Sequence, residues 1–128
     1  MKYFQVSDPA LNTFDEALAH ERERLTSYRI VGSSNVKVER LDTVLQEHMQ
    51  MPAVIDFMNV DAEGHDLSVL RSNDWNRFRP RLVLTEALGG MGIEEILSCD
   101  VHEYLSALDY QLAAKTKNTL FYTDERAA

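Results

Sequence analysis

Apolar positions along this chain recur with two periods, about two and about three to four, and the switches between them mark out the elements. Lys2 to Val6 sets Tyr3, Phe4 and Val6 among polar neighbours and predicts a short edge strand, closed by the turn signal Ser7-Asp8-Pro9. Phe14, Ala17, Leu18 and Leu25 then fall at helical spacing, with Thr13 and Glu16 fitting a capping box and Asn12 as a competing cap. Tyr28-Arg29-Ile30-Val31 and Val36-Lys37-Val38, separated by Gly32-Ser33-Ser34-Asn35, predict strand, turn and strand. Leu41, Val44, Leu45 and Met49 share one face of a short helix running from Leu41 through His48 and ending before Pro52.

The second half opens on Val54 to Val60, an apolar run that stops at Asp61-Ala62-Glu63-Gly64 and turns helical from about His65 to Ser72. Trp75 and Phe78, three apart, anchor a turn against the core before Pro80 ends it. Arg81 to Glu86 is near-continuously apolar up to its final carboxylate, as suits a buried strand parallel to the first. Gly89-Gly90-Met91-Gly92 reads as a flexible loop. Ile93, Ile96 and Leu97 make a helical turn, and Asp100 with Glu103 caps a second helical piece carrying Val101, Tyr104, Leu105 and Leu108. Tyr110 to Ala114 and Thr119 to Tyr122 form a closing hairpin, followed by a frayed tail from Asp124. The expected fold class is α/β, a parallel core with an antiparallel closing hairpin, in a single domain over residues 1–128.

Composition narrows the function classes. A chain of 128 residues buries one sizeable core, and no apolar run approaches the ~20 residues of a membrane span. Thirteen Lys and Arg against twenty-one Asp and Glu give a formal charge of −8, which repels phosphate backbones and anionic lipid, so neither nucleic acid nor a membrane is expected as a partner. Arg71, Arg77, Arg79 and Arg81 fall close together and read as a solvated face with apolar stems. Met1 to Val6 lacks the apolar core of a secretory signal, and the expected compartment is the cytoplasm. Cys99 is the one cysteine, which excludes an internal disulfide and a cysteine-based zinc site.

Candidate chemistry sits where the central strand stops. In open α/β sheets ligands lie beyond the carboxyl ends of the strands, which singles out Asp61, Glu63, Gly64 and His65, and Glu86 at the end of the neighbouring strand. Asp61 and His65 are the candidates for base or substrate orientation, and Glu63 and Glu86 for substrate binding. Each has a plainer reading: Asp61 as a helix cap, Glu63 as a partner of the helix dipole, His65 as a surface group, Gly64 as a backbone requirement of the turn. These are also hard-oxygen and imidazole ligand types, but no spaced motif supports a metal site, and none is expected. Gly89 to Gly92 lacks the lysine and the strand-to-helix spacing of a phosphate loop.

The run Ile55-Asp56-Phe57-Met58-Asn59-Val60-Asp61-Ala62-Glu63-Gly64-His65-Asp66-Leu67-Ser68-Val69-Leu70 resembles the FkbM family of S-adenosylmethionine-dependent methyltransferases, whose pattern is an apolar strand, Asp-x-Glu-Gly-His and a Leu-rich helix. Ala10-Leu11-Asn12-Thr13-Phe14, Val38-Glu39-Arg40-Leu41-Asp42 and Phe78-Arg79-Pro80-Arg81-Leu82-Val83-Leu84-Thr85-Glu86 resemble further segments of it. The resemblance implies a Rossmann-like class I methyltransferase sheet, S-adenosylmethionine as methyl donor, and a hydroxyl acceptor on a sugar or natural-product-like molecule. The family's cofactor site begins with a glycine-rich strand-end loop, whereas upstream of Asp61 this chain has only Gly32. The chain is therefore expected to be a partial sheet, the C-terminal portion of the domain. Two functions follow: an O-methyltransferase, or a non-catalytic module that forms a homodimer or complements a separate N-terminal half.

Overall fold

The computed structural model describes residues 1–50, 52, 54–87 and 91–127. The backbone falls into two compact units, residues 1–39 and residues 40–128.

In the first unit, β1 (Lys2–Val6) pairs antiparallel with β2 (Ile30–Asn35), and α1 (Glu16–Leu25) lies between them in the chain. The alternation in β1 places Phe4 and Val6 on the buried side. The expected strand, turn and strand over residues 28–38 is instead one strand that runs straight through Gly32-Ser33-Ser34-Asn35. Gly32 pairs with Gln5 rather than turning the chain, and Val38 is exposed. α1 is capped by Asp15, whose carboxylate accepts the Leu18 N–H at 3.0 Å, and not by Thr13 or Asn12. Those two are engaged elsewhere: Asn12 Oδ1 accepts the Val6 N–H and Thr13 Oγ1 the Asp15 N–H. The expected apolar stripe of α1 does not carry its burial, since Ala19 is fully buried while Ala17 and Leu25 are exposed.

The second unit is a mixed α/β arrangement. Helix α2 (Leu41–His48) has the predicted bounds. It is followed by β3 (Phe57–Val60), α3 (Asp66–Arg71), β4 (Leu82–Glu86), α4 (Ile93–Leu97), α5 (Asp100–Ser106), β5 (Tyr110–Lys115) and β6 (Thr119–Asp124). The sheet order is β3-β4-β6-β5, with β3 and β4 parallel and the other pairs antiparallel, so the parallel core and closing hairpin are as read from the sequence. Val60, Val83, Leu120 and Tyr122 from the sheet join Leu70, Trp75, Ile96 and Leu105 in one core. Trp75 donates its indole N–H to the Leu70 carbonyl at 3.0 Å, which lets a large amphipathic ring be buried at no hydrogen-bonding loss.

Three further local expectations change. α5 is capped by Cys99, whose Sγ accepts the His102 N–H, so the cysteine takes the position expected of Asp100. The tail is ordered at its start: Asp124 closes β6 and receives two hydrogen bonds from Arg79, at 2.8 and 2.6 Å. Arg79 is accordingly held, half-buried, in an ion pair and is no part of a solvated basic face, whereas Arg81 is exposed beside Asp56. The glycines at 89 and 90 of the expected loop lie outside the described residues.

Candidate functional site

The parallel register sets the site. Val60 lies beside Thr85, so the next residue on each strand, Asp61 and Glu86, emerges at the same sheet end. On the other side of β4, Glu86 pairs with Thr119, and the Ala87 N–H donates to the Asn118 carbonyl at 2.9 Å, which pins the β5–β6 turn against the end of β4. Asn59, Val60, Asp61, Thr85, Glu86, Asn118 and Thr119 thereby line an open recess of about 230 Å³.

Beyond Val60 the chain reverses tightly. The His65 N–H donates to the Ala62 carbonyl at 3.1 Å, and the two residues between, Glu63 at φ 49° and Gly64 at φ 91°, are both left-handed. Glycine is the natural occupant of such a position, which is the backbone requirement read for Gly64. His65 occupies the N-cap of α3 without a capping side-chain hydrogen bond. Asp61 is therefore not the cap, and Asp66 is the carboxylate in the first turn, buried, with Oδ1 accepting the Ala62 N–H at 3.4 Å.

Asp61 and Glu86 are thus brought together on the cavity wall, while Glu63, Gly64 and His65 form the turn beside it. Burial, and then the negative charges of Glu63, Asp61 and Asp66, push the Glu86 carboxyl above the usual carboxylate range. Its Oε2 is buried without a hydrogen-bond partner, and so is Oγ1 of Thr85, a side chain only 1% exposed. A carboxylate of raised basicity near the exposed carboxylate of Asp61, at the rim of a small recess, is suited to holding a hydroxylated ligand and receiving its proton. Among the described residues no group of three or more His, Cys, Asp and Glu is arranged to hold a metal ion.

Sequence reasoning missed Thr85, Asp66, Asn118 and Thr119. The first two lie next to residues it named, and Thr85 was visible as a polar residue in an otherwise apolar strand. Asn118 and Thr119 reach the site only through the β4–β6 pairing, across more than thirty positions of chain, for which the local pattern carries no signal. A larger cavity of about 500 Å³ opens elsewhere, lined by residues that include Arg40, Asp42, Asn73, Trp75, Asp109 and Arg126. Its arginines face the cavity's own carboxylates, Arg40 to Asp42 at 2.6 Å and Arg126 to Asp109 at 3.9 Å, and it is not at the strand ends.

A mixed sheet whose parallel strands end in paired carboxylates over a recess is compatible with a methyltransferase fold. The family model described as the methyltransferase FkbM domain matches residues 2–112, most of the chain, and the chain belongs to that family. No curated protein and no solved structure matches it. No helix among the described residues is long and apolar enough to cross a membrane.

Proposed function

We propose that this chain takes part in S-adenosylmethionine-dependent O-methylation, and that the ends of β3 and β4 form the face that receives the hydroxylated acceptor, a sugar or natural-product-like molecule. The observation that carries this reading is the emergence of Asp61 and Glu86 side by side from two parallel strands into one recess. Methyl transfer to a hydroxyl asks the protein to hold the acceptor oxygen in line and to take up its proton. Asp61 and Glu86 are placed to accept hydrogen bonds from that hydroxyl, and Glu86, whose carboxyl burial raises above its usual range, is the group to receive the proton. His65 and Glu63, on the adjoining turn, border the acceptor's outer end.

The recess is smaller than the ~300–1,000 Å³ that encloses a drug-sized ligand, so it suits a monosaccharide-sized acceptor and not a whole nucleoside cofactor. Calorimetric titration of the chain with S-adenosylmethionine tests the reading: micromolar binding is expected of an independent methyltransferase, and no heat at millimolar cofactor overturns independent catalysis.

A second reading rests on β3, which stands at the edge of its sheet with Phe57 64% exposed. A short edge strand offers unpaired backbone groups to another chain, as an interaction module or a complementing partner would use them. Sedimentation of the chain alone separates the two: a monomer that binds the cofactor supports the enzyme, and a dimer without cofactor binding supports the module.

A further inference from the structure

β3 and β5 are the two edges of the four-stranded sheet, and they are finished differently. β5 carries a register shift between Leu112 and Ala114 and ends in Lys115, two devices that keep a further strand from adding to an edge. β3 has neither: its register with β4 is unbroken from Phe57 to Val60, and that strand includes no charge and no proline. The Leu82 N–H donates to the Asp56 carbonyl at 3.1 Å, so the alternation of a parallel ladder turns the backbone groups of Met58 and Val60 to β4 and those of Phe57 and Asn59 to the free side. Among the described residues no other element hydrogen-bonds to those outward groups. Phe57 is exposed on one face of this edge and Met58 packs against the core from the other, so apolar surface reaches the edge on both faces.

We infer that β3 receives an added strand from a partner chain, a short apolar β-segment with lysine or arginine at its ends. This rests on the second reading above, of the chain as an interaction module, and gives that module's partner a chemistry. Main-chain hydrogen bonds to Phe57 and Asn59 hold the added strand, and apolar side chains within it extend the rows that Phe57 and Met58 begin. Charge selects the occupant. The edge is bounded by exposed carboxylates, Asp56 before it and Asp61 after it, on a chain of formal charge −8. Arg81, 3.5 Å from Asp56, offsets the first only in part, since both side chains stay largely exposed. A second copy added antiparallel in full register sets Asp56 against Asp61 at both ends, and like charges directly opposite destabilise a strand pair. Basic ends reverse that sign and draw the segment to an acidic chain.

Matched peptides test this. The full isotope-labelled chain is titrated at pH 7 and low salt, up to millimolar peptide, with capped Lys-Val-Thr-Val-Tyr-Lys and with the same peptide carrying glutamate at both ends, and is followed by NMR and amide hydrogen exchange. The basic peptide is expected to bind about tenfold tighter, a preference that shrinks with added salt. Its binding is expected to slow exchange at the Phe57 and Asn59 amides and to change Met58 and Val60, already bonded to β4, little. Phe57→Ser is expected to weaken it by about fivefold, and Asn59→Pro to abolish it, since proline there removes an outward N–H and leaves the β4 ladder whole. No binding of either peptide, equal affinity for the two, protection confined to another part of the chain, or undiminished binding in Asn59→Pro overturns the inference. Sedimentation of the same sample separates its failure from that of the module reading. A dimer whose Phe57 and Asn59 amides are protected without peptide keeps the module and overturns the basic partner, a monomer that takes no peptide loses both, and a monomer that binds the basic peptide as well as S-adenosylmethionine keeps the partner and loses only the non-catalytic reading.

Discussion

Glu86 holds its charge at a cost, because burial and three neighbouring carboxylates all oppose ionisation. With a folded-state pKa above its ordinary value of ~4.3, it contributes stability below that pH, and the contribution is lost as pH rises through the raised value. Glu86→Gln is therefore expected to be more stable than the natural protein at pH 7, with the difference vanishing below about pH 4, as read from denaturation midpoints across pH. Asp124 is the opposite case. Burial works against its charge, but the hydrogen bonds from Arg79 and the Arg126 backbone N–H, with the attraction of both guanidinium groups, outweigh it and hold its pKa below the usual range. Its contribution is present above the ordinary carboxylate pKa and is lost as acid brings the pH down through the lowered value. Asp124→Ala leaves the part-buried Arg79 charge without its counter-ion and is expected to cost about 1–3 kcal/mol in chemical denaturation at pH 7. Gly64→Ala meets no atom within 4 Å, yet its φ of 91° makes it costly, at roughly 1–2 kcal/mol in the same measurement.

At the scale of elements, local patterns carry the kind and order of most helices and strands, while their ends, and the single strand β2 in place of two strands and a turn, are set by tertiary contacts. Helix α2 came out with its predicted bounds because its apolar face, its start at Leu41 and its stop before Pro52 are all local signals. The caps of α1 and α5 were misplaced because several residues competed for each role, and tertiary contacts chose among them: Asn12 is drawn to the Val6 N–H, and Cys99 rather than Asp100 receives a backbone N–H of α5. Asp15→Ala is accordingly expected to lower stability by about 1 kcal/mol, with Thr13→Ser leaving the α1 cap intact, as followed by thermal unfolding in circular dichroism. β2 ran through a stretch rich in glycine and serine, which a propensity reading breaks into a turn. Pairing with β1 overrides that preference, with Gly32 to Asn35 set opposite Gln5 to Lys2 in the ladder.

For the whole molecule, the alternating periods, the carboxylate-glycine turn after Val60 and the family pattern through Glu86 were enough to establish an α/β chain of the FkbM methyltransferase domain family and to name Asp61 and Glu86 as neighbours at a sheet end. Those signals act over a few residues, or over the spacing of two adjacent strands, and so they survive in the linear order. Only the tertiary structure decided that the β5–β6 turn brings Asn118 and Thr119 to the same recess, that Thr85 keeps a hydroxyl buried without a partner, and that Arg79 turns inward to Asp124. The physical reason is the same for all three. Strand register and burial are set by the sum of contacts between segments far apart in the chain, and a local pattern holds no record of which distant segment will lie opposite.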